Sequence, residues 1–65
     1  GSQIHSTAKL EDWAIIGEKN DIEEGVEIRR SILWENVTVK KGRKVIDSIV
    51  TSSKQVRYDM INKIY

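Results

Sequence analysis

The stretch IEEGVEIRRSILWENVT, residues 22–38, runs directly into VKKGRKVIDSIVTSSKQ, residues 39–55. Laid one over the other, the two 17-residue segments agree position by position. Ile22 meets Val39, Gly25 meets Gly42, Ile28 meets Val45, Ser31 meets Ser48, Ile32 meets Ile49 and Leu33 meets Val50. Working outward, apolar residues recur every six: Ile4, Leu10, Ile16, Ile22 and Ile28, then Val39 and Val45. Six is unlike the 3.6 residues of a helical turn. It keeps the alternation of a strand and interrupts it regularly with turns. Three sides of six, six and five residues make a coil of 17, and such coils stack to bury a narrow apolar column. Towards the N-terminus the coil lengthens to nearer 18, because Leu10 rather than Glu11 precedes Ile28.

The period predicts an all-β chain: a single-stranded parallel β-helix of about three coils over residues 4–56. The first residue of each hexad points inward. The fifth does so as well, near a corner: Ala8, Ala14, Val26, Ile32 and Ile49. Gly25 and Gly42 share a turn position suited to φ > 0. Proline is absent, which suits strands that donate hydrogen bonds on both sides. Asn20 and Arg43 fall at fifth positions and fit the inward pattern poorly. Asn20 is expected to hydrogen-bond a neighbouring turn. Arg43 is expected to lie near the open end with its guanidinium in water.

Charges follow the same register. At offset 17, Glu23 faces Lys40, Glu24 faces Lys41, Glu27 faces Lys44 and Arg30 faces Asp47. Strands about 4.8 Å apart make these cross-strand pairs. A slip of one residue would lose every pair and turn the apolar column outward.

The pattern stops after Val56. Val56, Met60, Ile61 and Ile64 stand at helical spacing, and residues 57–65 are read as a short helix capping the open end, with a strand of a fourth coil as the alternative. Gly1-Ser2 reads as a cloning remnant, so residues 1–3 are assigned to a lead.

Bulk composition narrows the function. The chain has 65 residues and a formal charge of +1, from 11 basic and 10 acidic side chains. That balance argues against a nucleic-acid binder. Without cysteine there is no thiol chemistry or thiolate metal site. No apolar run approaches the roughly 18 residues of a membrane span. A domain this small buries only about 60% of its unfolded surface, so a partner surface is expected.

IGEKNDIEEGVEIRRSILWENVTVKKGRKVIDSIV, residues 16–50, resembles the C-terminal left-handed β-helix of sugar-phosphate nucleotidyltransferases, notably those like mannose-1-phosphate guanylyltransferase. Ser31-Ile32-Leu33-Trp34-Glu35-Asn36-Val37 is the most specific part. The γ and ε subunits of the translation initiation exchange factor carry similar repeats. The resemblance implies left-handed coils and a non-catalytic domain that stabilises, oligomerises or regulates a cytoplasmic enzyme. It places catalysis and Mg2+ in a separate N-terminal nucleotide-binding domain, with no cofactor, metal or catalytic residue here. It also implies a homo-oligomer through the β-helix, with neither nucleic acid nor membrane as partner.

Individual residues are weighed on the same footing. His5 is the single histidine, too few for a three-histidine zinc site. As the general base of a hexapeptide-repeat acyltransferase it is the alternative reading; near the first coil's end, a structural role fits better. The basic run Lys40-Lys41-Gly42-Arg43-Lys44 is matched by Glu23, Glu24 and Glu27 beneath it, and reads as a solvated face. Glu23-Glu24 points outward under lysines, which disfavours acid–base work. Trp34, at a coil corner, and Trp13 are expected at the surface. With Tyr58 and Tyr65 they are the candidate interface residues, since tryptophan and tyrosine are enriched where interfaces concentrate their energy.

Overall fold

A computed structural model describes residues 1–65, which form strands, turns and loops without any helix. The strands are β1 Gln3–Ile4, β2 Lys9–Ile16, β3 Asp21–Ile22, β4 Glu27–Leu33, β5 Thr38–Val39, β6 Lys44–Ile46, β7 Ile49–Val50, β8 Gln55–Val56 and β9 Met60–Ile61. Every pairing is parallel. One sheet runs β1-β3-β5-β8 and the other β2-β4-β6-β9, with β7 also on β4. The chain is thus a β-solenoid of about three turns, its coils at 3–20, 21–37 and 38–54, followed by a partial coil at 55–65.

The register is the one the repeat predicts. Asp21 pairs with Thr38, Ile28 with Val45 and Leu33 with Val50, each 17 residues apart. In the first coil Leu10 pairs with Ile28, an offset of 18, and Ala14 with Ser31, an offset of 17. The extra residue falls between Glu11 and Ala14, where the register shifts. Ile22, Val39 and Val56 stack in one inward column; Ile28, Val45 and Met60 stack in a second; all six are buried. Ile4 and Leu10 begin these columns but stay 44% exposed, because no coil lies beneath them.

Left-handed backbone builds the corners. Gly25 and Gly42 turn with φ of 69° and 74°, as their shared position predicts. A second corner stacks Asp12, Arg30, Asp47 and Asn62, with φ of 62°, 47°, 51° and 54°. A third stacks Lys19, Asn36 and Ser53. Asp and Asn tolerate this conformation better than most side chains do.

The second corner corrects one expectation. Ile32 and Ile49 were placed inward by counting hexads. Instead Ser31 and Ser48 are buried at 0% and 3% exposure, and Ile32 and Ile49 face out between them and the buried Leu33 and Val50. The left-handed residue just before each serine resets the alternation by one. Each serine then repairs the bend. Ser31 Oγ donates to Arg29 O at 2.8 Å and accepts from Ser48 N–H at 3.1 Å. Ser48 Oγ donates to Ile46 O and accepts from Lys63 N–H.

The two misfits settle locally. Asn20 is 2% exposed. Its Nδ2 donates to Trp34 O at 2.9 Å, and its Oδ1 accepts from Val37 N–H at 2.7 Å. Ser2 Oγ accepts from Asn20 N–H and donates to Gly17 O, tying the first residues into the coil. Arg43 is half-buried with its guanidinium at the surface, 3.7 Å from Asp59.

The capping helix over 57–65 is not formed. The tail instead continues as a fourth-coil strand: Met60 pairs with Val45, Ile61 with Ile46, and Ile64 bridges Ile49. A helix of nine residues is marginal in water. The upper edge of the third coil offers ready backbone partners: Asn62 N–H donates to Ile46 O, Tyr65 N–H to Ile49 O, and Ile49 N–H to Lys63 O.

Candidate functional site

The outward side of the second sheet is unusually apolar. Ile15, Ile32, Ile49 and Ile64 stand one above another through the register pairs of successive coils. Ile46 and Ile61 form a shorter column above Arg29, across the corner at Asp47 and Asn62. Ile15, Ile61 and Ile64 are 59%, 55% and 79% exposed, while Ile32, Ile46 and Ile49 are half-covered. Scattered surface isoleucines are ordinary, but Ile15, Ile32, Ile49 and Ile64 in one column make an apolar run of the kind that marks interaction surfaces.

The predicted interface residues divide between two places. Trp13 sits in the extra residue of the first coil, and Trp34 follows Leu33 at the end of β4; each is 50% exposed. Each lies two residues along the chain from a member of the isoleucine column, Ile15 or Ile32. The backbone of Gly17 comes so close beneath Trp34 that a Cβ there would lie 2.5 Å from its carbonyl oxygen. Tyr58 and Tyr65 are elsewhere. With Gln55, Val56, Arg57 and Met60 they line a dimple of about 220 Å³ at the C-terminal end of the solenoid. Lys54 Nζ lies 4.9 Å from the Tyr65 ring centre, a cation–π distance. Residue type and place in the hexad register singled out the two tryptophans. The isoleucine columns were missed because hexad counting placed Ile32 and Ile49 in the core.

Ion pairs line the corners. Arg30 lies between Asp12 and Asp47, bonding both carboxylates. Arg29 reaches Glu11 at 2.7 Å, and Lys40 lies 3.7 Å from Glu23. Glu27 stands directly opposite Lys44. Lys41 contributes its backbone N–H to Glu23 rather than an ion pair to Glu24. The Arg30 guanidinium, by hydrogen bonding first and by charge as well, holds the Asp47 carboxyl below its ordinary value. A lowered carboxylate pKa stabilises the fold above the unfolded pKa, and that contribution is lost as pH falls through the folded value. Asp47→Asn keeps a side chain suited to φ of 51° but loses the charge. It is therefore expected to lower the urea midpoint slightly at neutral pH, the gap from the unaltered chain closing in acid. A gap independent of pH would count against the ion pair.

A broad depression of about 380 Å³ on the first sheet is lined by His5, Asp21, Glu23, Glu24 and Lys41, among others. His5 Nδ1 is occupied there. It lies 2.9 Å from Thr7 Oγ1 and accepts from Thr7 N–H, while Thr7 Oγ1 accepts from Gly25 N–H. This makes His5 part of a turn rather than a poised base. No group of three or more His, Asp or Glu is placed to hold a metal ion. No helix is long and apolar enough to cross a membrane.

The geometry defines a class: an all-β protein whose parallel strands wind into a solenoid. No family model, curated protein or solved structure matches the chain.

Proposed function

We propose that this chain is a non-catalytic assembly domain that associates with further copies through its isoleucine face. The carrying observation is the outward column Ile15, Ile32, Ile49 and Ile64. Apolar strand surface of this extent favours burial by about 25 cal/mol per Å2 removed from water. Strands related by symmetry offer the same surface to each other, as closed oligomers require.

The resemblance of residues 16–50 supports a fuller reading. The domain then belongs to a cytoplasmic sugar-phosphate nucleotidyltransferase of the mannose-1-phosphate guanylyltransferase type, its left-handed coils holding copies of the enzyme together. Catalysis and Mg2+ reside in a separate nucleotide-binding domain. A Gly-rich phosphate loop with metal-binding carboxylates in that domain would support the enzyme, and their absence an exchange-factor-like subunit.

Ile32→Glu tests the assembly role, since it puts a charge in the middle of the face without touching the core. The unaltered chain is expected to sediment above its 7.5 kDa monomer mass, and the variant to lose that lateral association with unchanged circular dichroism. A strict monomer at high concentration, or an unaltered oligomer in the variant, would remove this role for the face.

A further inference from the structure

We infer that the copy seated on the isoleucine face lies antiparallel to the first, related to it by a twofold axis perpendicular to the solenoid and midway between the second and third coils. The inference rests on the assembly reading of that face. Charge is divided between the two central coils. Residues 21–37 carry five acidic and two basic side chains, whereas residues 38–54 carry one and five. Copies lying side by side and parallel set each of these coils against its own kind. An antiparallel copy sets the acidic coil against the basic one, twice over. Such complementarity fixes the orientation of an interface more than its strength.

The same axis reuses the register of the repeat. Arg30 and Asp47, Ile32 and Ile49, and Trp34 and Thr51 each stand 17 residues apart on successive coils. The axis exchanges the second coil with the third, so each of these residues faces its 17-residue counterpart in the second copy. Ile32 meets Ile49 and Ile49 meets Ile32, and the column is buried against itself. At one edge of the face, Arg30 meets Asp47 of the second copy. Arg30 and Asp47 already bond each other within the chain, so the two pairs join in a ring of alternating sign. At the other edge Trp34, 50% exposed, packs on Thr51 and on Trp34 of the second copy. Tryptophan and arginine are the residues that interfaces favour at their strongest contacts.

A parallel copy, turned about an axis along the solenoid, meets the face differently. It brings unlike edges together. Arg30 then gains Glu35, but Asp47 gains no cation, and the two Trp34 side chains are left at opposite edges. Arg30 and Trp34 are four residues apart, about 13 Å of strand, so that separation is wide. Antiparallel coils also put the domain that the fuller reading places before the first coil at opposite ends of the pair, where two such domains do not collide. The contact is isologous, so it closes at two copies.

The experiment joins sedimentation equilibrium, over a range of protein and salt concentrations, to cross-linking with a short bismaleimide. The chain has no cysteine of its own, so each introduced thiol reports one position. Mass is expected to reach a plateau at twice 7.5 kDa. The dissociation constant is expected to rise several-fold as salt is raised, because opposite charges face each other across the axis. Glu35→Cys, beside Trp34, is expected to cross-link to itself, since like edges meet; Ser52→Cys is a second variant at that edge should Glu35→Cys alter the circular dichroism. An equal mixture of Glu35→Cys and Arg29→Cys is expected to yield the Glu35→Cys dimer and no mixed product, the species being told apart by mass. A mixed product in its place, a dimer whose thiols at that edge do not cross-link, a plateau at three copies, or a dimer tightened by salt overturns the antiparallel arrangement and leaves the assembly role of the face standing. A monomer at every concentration removes that role and this inference together.

Discussion

Replacing Ile28 with alanine is expected to unfold much of the population at room temperature. Ile28 is 0% exposed and sits mid-column between Leu10 and Val45. Truncating a buried isoleucine to alanine costs about 2–5 kcal/mol, transfer and cavity together. The upper part of that range applies here, because the coils above and below are fixed by ladder hydrogen bonds and cannot collapse into the space. A 65-residue chain has little stability in reserve. In a stacked architecture each coil also depends on its neighbours, so loss at the second coil reaches the first and third. Ile15→Ala is the control. It removes the same atoms from a residue 59% exposed, and surface changes of that kind stay within about 0.5 kcal/mol. Urea unfolding followed by circular dichroism measures both. Similar midpoints for the two variants would show that the Ile28 column is not the core.

Asn20→Ala is expected to be the next most damaging change, although it removes no apolar surface. Two groups lose their partners: the Val37 N–H, buried in the second coil, and the Trp34 carbonyl. A buried group left unsatisfied costs about 1–3 kcal/mol, and the Trp34 carbonyl is only part-buried, so this variant should lose roughly 2–4 kcal/mol in total. Asn20→Asp separates the two bonds. A carboxylate still accepts from Val37 N–H but faces the Trp34 carbonyl oxygen, so the neutral acid is the form that fits. Its pKa in the fold is therefore raised. A raised carboxyl pKa stabilises the fold below the unfolded pKa, and that contribution is lost as pH rises through the folded value. Asn20→Asp should thus approach the unaltered chain in mild acid and fall behind it at neutral pH. A penalty that grows in acid would contradict the assigned bonds.

Much of the architecture was legible in the residues because each coil repeats the same physical problem. Ile22 over Val39 and Ile28 over Val45 mark inward positions, and Gly25 over Gly42 marks a left-handed corner. Two of the four expected charge pairs form ion pairs, Glu23 with Lys40 and Arg30 with Asp47. Arg29 with Glu11 and Arg43 with Asp59 were missed, because the first coil is one residue longer than 17 and the last is two residues shorter. The candidate face was less legible. Ile32 and Ile49 look like core residues in any hexad count. Only the positive φ of Arg30 and Asp47 sends them outward, and neither residue advertises that conformation as glycine does.

The sequence by itself determined the period, the parallel register and the buried column, since these follow from local alternation and from like residues recurring at 17. Tertiary structure alone decided which isoleucines face water and how the chain ends. Both depend on contacts between coils. A left-handed corner is held by the coils stacked against it, as Arg30 is between Asp12 and Asp47. The tail, with the spacing of a helix, became a strand because the edge of the third coil supplied hydrogen bonds that a short isolated helix has no means to match.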